Sequence, residues 1–237
     1  MDATNAKRLV FLCSGGGGNL AFVHQAIASG LLQGATIVAV ITDRACQANQ
    51  FANKVGIPSH CIDFREQNQC TLLKLLDELK PDLIITTVHK IIGPAVVARH
   101  SNNLINLHYS VLPAFGGLIG ARSVQAALEY GCKFTGVTVH LVDDSVDGGR
   151  PLAQGVIAIE GDESLDALMQ VVFRLGCVAL LSVITERIAA SVHSNAPQAF
   201  SVLGHSCLLN GGQAIASALT ADEDFWMRLR QMLNVAD

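Results

Sequence analysis

The chain has 237 residues and a net charge of −4, with half of its residues hydrophobic and 15% charged. Such a composition builds a sizeable core and excludes long disorder, and the absence of any Lys/Arg concentration speaks against a nucleic-acid-binding face. Seven scattered cysteines (13, 46, 61, 70, 132, 177 and 207), no CxxC pair and no signal peptide in MDATNAKRL read as reduced thiols of a cytoplasmic protein. The apolar stretches look too short and too interrupted to span a membrane, so neither a membrane nor a nucleic acid is expected as a partner.

Residues 8–13 (RLVFLC) are a continuous apolar run, followed by SGGGGN and a helix-like stretch over 20–32. Strand, glycine turn and helix are thus expected in sequence. Residues 35–42 (ATIVAVIT) predict a second buried strand ending at Asp43, then a helix and a short strand near 58–62. Residues 70–80 predict a helix that Pro81 ends. Strands are expected over 82–88, 103–108, 134–142 and 151–159, and helices over 120–130 and from Ser164 to about 190. Strands alternating with helices imply βαβ units: an α/β, doubly wound, mostly parallel sheet with both faces covered. Beyond 194, Phe200–Leu203 and Cys207–Leu209 suggest a hairpin, with Asn210-Gly211-Gly212 as nearby turn residues. Thr220-Ala-Asp-Glu223 is a capping-box pattern that opens a last helix through Leu233. The expected organisation is a catalytic domain over 1–194 and a short hairpin-helix extension over 195–237. Such an extension suits a homodimer surface or a lid.

Three places carry chemistry. Gly15–Gly18 lie between strand and helix, where backbone N–H groups and the helix dipole favour an anion; Asn19 offers an N-cap oxygen. As a dinucleotide fingerprint the loop is poor, because Leu20 stands where a third glycine belongs, although Asp43 would suit a ribose. Cys13 beside the loop is either a reactive thiol or a core residue. In Leu104-Ile105-Asn106-Leu107-His108, alternation puts Leu104, Asn106 and His108 on one face. Two polar groups at the C-terminal end of a central strand are costly unless paired or functional, and that end is where open α/β sheets bind ligands. Finally, Gly136-Val-Thr138-Val-His140 is a strand with alternating polar residues that leads to Asp147-Gly148-Gly149, which is either a turn or a placed carboxylate.

NxHxSxLP at 106–113, GxTxH at 136–140 and the later DGG together resemble the folate-dependent formyltransferases, over roughly residues 8–190. That family includes glycinamide ribonucleotide transformylase, methionyl-tRNA formyltransferase and formyltetrahydrofolate hydrolase. The resemblance implies formyl transfer from 10-formyltetrahydrofolate, as co-substrate, to a small-molecule amine, with no metal. It implies that Asn106 donates to the oxyanion, that His108 assists polarisation or proton transfer, and that Asp147 supports His108 and manages the amine proton. Ser110, Thr138 and His140 would be supporting or structural. The folate would lie along Val88, His89, Lys90, Ile91 and Ile92 and along Val142, Asp143, Asp144 and the residues up to Asp147, with Leu104 beneath the pterin. Gly17, Gly18 and Asn19 match a loop that holds a substrate phosphate. SGGGGNL and the DGG resemble the ribonucleotide enzyme most. Three departures bear on the acceptor: Arg174 falls near the place of a ribose-gripping Glu, the turn after Leu112-Pro113 differs, and Lys90 replaces an Arg. The alternatives are an amino sugar or amino acid as acceptor, or hydrolysis of the same folate, since Tyr130-Gly-Cys-Lys133 and HxSxLPAF are similar to the hydrolase.

Overall fold

The computed structural model describes residues 6–66, 69–161, 163–189, 196–210 and 219–233. In chain order the elements are β1 (Lys7–Cys13), α1 (Gly18–Ala28), β2 (Ala35–Thr42), α2 (Gln47–Lys54), β3 (Ser59–Cys61), α3 (Cys70–Leu79), β4 (Leu83–Thr87), α4 (Pro94–His100) and β5 (Leu104–His108). They continue with α5 (Ala121–Tyr130), β6 (Phe134–Leu141), β7 (Pro151–Ala158), α6 (Leu165–Ala189), β8 (Pro197–Val202), β9 (His205–Asn210) and α7 (Glu223–Leu233). The α/β class with a mostly parallel central sheet is therefore as the sequence predicts. The chain forms two compact units: Met1–Ile105 with Asp224–Asp237, and Asn106–Glu223.

In the first unit the strands run β3-β2-β1-β4, and β1 pairs in parallel with both β2 and β4, as β2 does with β3. The chain steps outward from β1 to β3 and then returns to β1's other side. Loops at the C-terminal ends of β1 and β4 thus flank the point where the strand order reverses, which is where such sheets bind ligands. Residues Leu9 to Cys13 and Leu83 to Thr86 are all buried, as expected of strands covered on both faces. Helix α1 ends earlier than its apolar run suggests, because Gly30 takes φ 77 and the chain turns away. Helix α4, absent from the sequence expectation, starts with Pro94 at its first turn and buries Val96 and Val97. In α7, Phe225 and Trp226 pack on Phe22 of α1, with ring centroids 5.7 and 5.8 Å away, and the Gln25 Nε2–H donates to the Phe225 carbonyl at 2.7 Å.

In the second unit β6, β7, β9 and β8 pair antiparallel in that order. The hairpin β8–β9 is present, and its turn is Leu203-Gly204, both at positive φ (50° and 88°), the geometry of a tight two-residue loop. Asn210 is therefore no turn residue. It ends β9 and its Oδ1 accepts the Gln154 N–H at 2.8 Å, tying β9 to β7; Gly211 and Gly212 lie outside the described residues, as does the expected boundary at 194/195. The expected capping box is also corrected. The last helix opens at Glu223, whose carboxylate takes two hydrogen bonds from Arg174, at 2.7 and 3.2 Å. Arg174, 4% exposed, is the one charge between Asp166 and Glu186 in α6. A buried guanidinium is costly without a partner, and the bidentate carboxylate supplies one. By length and composition α6 reaches what a membrane span needs, contrary to the sequence expectation, yet 78% of its most apolar window is buried inside the protein, as in a core helix.

Candidate active site

The first unit holds the glycine loop and the loop after β4. Gly17 adopts φ 70 and is the N-cap of α1, so Asn19 sits within the first turn of the helix and is not its cap. A Cβ on Gly17 would stand 3.0 Å from the Ala48 Cα, which is why this position is glycine. Ser14 links the two loops: its Oγ accepts the His89 N–H at 2.8 Å while its hydroxyl hydrogen-bonds to Asp43. Burial pushes the Asp43 carboxyl up, but hydrogen bonds from Arg44 and Ser14 outweigh it and hold the group below the usual range. Asp43 is thus engaged by Arg44, at 2.8 Å, and by Ser14. Gln69 holds the far end of the second loop, donating to the Ile91 carbonyl at 2.9 Å and accepting the Gly93 N–H at 2.8 Å. Between these anchors His89, Lys90 and Ile91 are exposed, Val88 is half-buried and Ile92 is buried, as is Leu104. Cys13 is a core residue whose thiol burial pushes up to about 12, far from a reactive thiolate.

The second unit brings Asn106, His108 and Asp147 together. His108 presents Nδ1 to Asp147 Oδ2 at 3.3 Å and Nε2 to the Phe115 carbonyl at 3.1 Å. Each ring nitrogen therefore faces a hydrogen-bond acceptor. Asp147 takes φ 54 and its Oδ2 also accepts the Gly117 N–H at 2.7 Å. Asn106 Nδ2 lies 3.1 Å from His140 Nε2. His140 Nε2 is also 3.7 Å from Asp147 Oδ1, a contact that is an ion pair only when the ring is protonated. Burial lowers the His140 pKa and keeps the ring neutral, and its Nδ1–H donates to the Leu141 carbonyl at 2.8 Å, so Nε2 carries a lone pair. Val142 is half-buried and Asp143 and Asp144 are exposed; Asp143 Oδ1 accepts the Ser145 N–H at 2.9 Å. Among the described residues no group of three His, Cys, Asp or Glu is placed to hold a metal ion.

Local sequence explains this placement. Thr138 Oγ1 donates to the Ser110 carbonyl at 2.8 Å and accepts the Leu112 N–H at 3.0 Å, fixing the exit from β5 to β6. Gln154 adds a hydrogen bond to the Leu112 carbonyl at 2.9 Å, a contact sequence reasoning missed. A Cβ on Gly136 would lie 1.9 Å from the Gly155 carbonyl oxygen, so the first residue of GxTxH must be glycine. The β6–β7 register shifts between Val139 and His140, an irregularity of the kind that re-aims a side chain. On Gly149 a Cβ would stand 1.7 Å from the Leu141 oxygen, the acceptor of His140. Gly149→Ala is therefore expected to cost about 3 kcal/mol or more of stability, the upper end of overpacking effects. Urea unfolding checks it; an unchanged midpoint would contradict the close approach.

Burial lowers the pKa of His24, His100 and His140 from 6.5. In the unfolded chain these rings take up protons near that pH, while in the folded protein they stay neutral further down. The unfolded state then binds more protons, so stability is full above about pH 6.5 and falls as pH drops through it. Urea midpoints at pH 7.5 and 5.5 are expected to differ in that direction, and a higher midpoint at 5.5 would contradict it.

Comparison with known proteins bears directly on this arrangement. The chain belongs to the formyl transferase family, which matches residues 7–184. Over 170 residues it is 31% identical to the chloroplastic phosphoribosylglycinamide formyltransferase of Vigna unguiculata, covering 68% of this chain and 54% of that protein. It is 30% identical over 138 residues to the formyltetrahydrofolate deformylase of Haemophilus influenzae, covering 56% of this chain and 49% of the relative. The chain thus spans about half the length of these curated relatives. The solved phosphoribosylglycinamide formyltransferase of Coxiella burnetii superposes with TM-score 0.72 at 31% identity, over 80% of this chain and 92% of that one.

Proposed function

We propose that the chain is a 10-formyltetrahydrofolate-dependent N-formyltransferase whose acceptor is glycinamide ribonucleotide, acting in purine synthesis in the cytoplasm, with the catalytic framework in residues 1–194. The observation that carries this is the cluster within one unit in which His108 and His140 face the carboxylate of Asp147 and Asn106 lies against His140. The amine lone pair attacks the formyl carbon, the new C–N bond forms, and negative charge moves to the formyl oxygen. An Asn106 N–H donates to that oxygen, and His108, held by Asp147, assists its polarisation or the proton transfer. Asp147 accepts the proton lost from the attacking amine, and the folate nitrogen leaves with a proton in its place. The residues of the loop after β4 (88–92), Leu104 and residues 142–144 would bind the folate. Gly17, Gly18 and Asn19, at the positive end of α1, would bind the phosphate of the acceptor.

The deformylase likeness favours a second reading, hydrolysis of the same donor, with water in place of the amine. A third acceptor class, an amino sugar or amino acid, gains weight from Arg174. Its buried guanidinium is engaged by the exposed carboxylate of Glu223, so a ribose contact from that position would have to displace this bidentate ion pair. Spectroscopic loss of the formyl group from 10-formyltetrahydrofolate separates the readings. Turnover that requires glycinamide ribonucleotide supports the first; equal turnover without any amine replaces it with hydrolysis; turnover only with another amine reassigns the acceptor.

A further inference from the structure

We infer that His140 is a positioning residue that sets the orientation of the Asn106 carboxamide. The inference rests on the proposed role of Asn106 as oxyanion donor. A carboxamide can rotate by half a turn and exchange its oxygen for its NH2 group at little intrinsic cost, so an oxyanion donor needs a neighbour that distinguishes the two. Here that neighbour is the lone pair on His140 Nε2, 3.1 Å from Asn106 Nδ2. It is a lone pair because the other ring nitrogen is committed: Nδ1–H donates to the Leu141 carbonyl at 2.8 Å. His140 is 2% exposed, so water does not compete. One amide N–H of Asn106 is thereby spent on His140, and the second is left for the substrate oxygen. The flipped amide would instead set its oxygen against the His140 lone pair.

The charged and titratable groups facing His140 are Asp147, His108 and Asp143. Were the ring to take up a proton, Nε2–H would become a donor, attract Asp147 Oδ1 at 3.7 Å and repel the Asn106 N–H. Asn106 would then turn its oxygen toward the ring and withdraw the donor. The same contact therefore makes the oriented state of Asn106 a property of neutral His140.

The test has two parts. Long-range proton–nitrogen NMR of the imidazoles at pH 7.5 reads the His140 tautomer without any reaction; a proton on Nδ1 and none on Nε2 is expected, and a protonated Nε2 would overturn the inference. Kinetics then read the coupling. His140→Leu is expected to lower kcat about tenfold to hundredfold, within the ~10²–10³-fold worth of an oxyanion donor, and to leave the folate KM near wild type. His140→Gln, whose oxygen can accept from Asn106, is expected to recover much of that loss. In an Asn106→Ala background His140→Leu should have no further effect; effects that multiply would mean His140 acts on its own. Thermal unfolding of each variant separates loss of orientation from loss of fold. If the wild-type protein moves no formyl group, the functional reading fails while the tautomer result still decides whether His140 holds Asn106.

Discussion

Asp147→Asn is expected to lower turnover by roughly 10²–10⁴-fold, the usual worth of a placed proton acceptor, with the fold intact. The substitution keeps size and shape. With its oxygen at the position of Oδ2, which lies 2.7 Å from the Gly117 N and 3.3 Å from His108 Nδ1, the new amide still accepts the Gly117 N–H and still faces His108. Its NH2 group then points at His140 Nε2, a lone pair 3.7 Å from the present Oδ1. No buried polar group loses its partner, so thermal unfolding should stay close to wild type. What disappears is the negative charge that faces His108 and takes the amine proton. Turnover within tenfold of wild type would remove Asp147 from the chemistry.

Trp226→Ala is expected to be the most destabilising single change in α7, at about 3–5 kcal/mol. Trp226 is 2% exposed and stacks on Phe22 at 5.8 Å, with Phe225 edge-on at 5.6 Å. Phe22 lies in α1, whose N-terminus is the glycine loop, so the loss falls on the helix that the loop caps. Truncating the indole leaves a cavity against fully buried rings. Urea unfolding measures the change; a loss under about 1 kcal/mol would mean that α7 packs on the fold without supporting it.

Much of this protein is legible in its sequence, for reasons that differ by element. Strands such as 35–42 were readable because buried parallel strands are continuous apolar runs, and β2 spans Ala35–Thr42 as predicted. The family resemblance of NxHxSxLP, GxTxH and DGG points to Asn106, His108 and Asp147; in the structure His108 faces Asp147 at 3.3 Å and Asn106 meets His140 at 3.1 Å. The glycines of GxTxH and DGG mark close backbone approaches that no sequence pattern states. Helix α4 was missed because seven residues give too little periodicity, although Gly93-Pro94 marked its start. Arg174, Glu223 and the aromatic cluster of α7 were misread or unread because their partners lie 49 and about 200 residues away in sequence. Pairings at that separation leave no local signal. The same holds for Gln69 and Ser14, whose hydrogen bonds to residues 89, 91 and 93 hold the loop after β4.

The most direct measurement follows an isotopic label in the formyl carbon of 10-formyltetrahydrofolate, incubated with the protein and glycinamide ribonucleotide. The expected result is label recovered on the amine, in an amount that rises with amine concentration and falls away in Asp147→Asn. Label released as formate at the same rate with and without the amine would contradict formyl transfer.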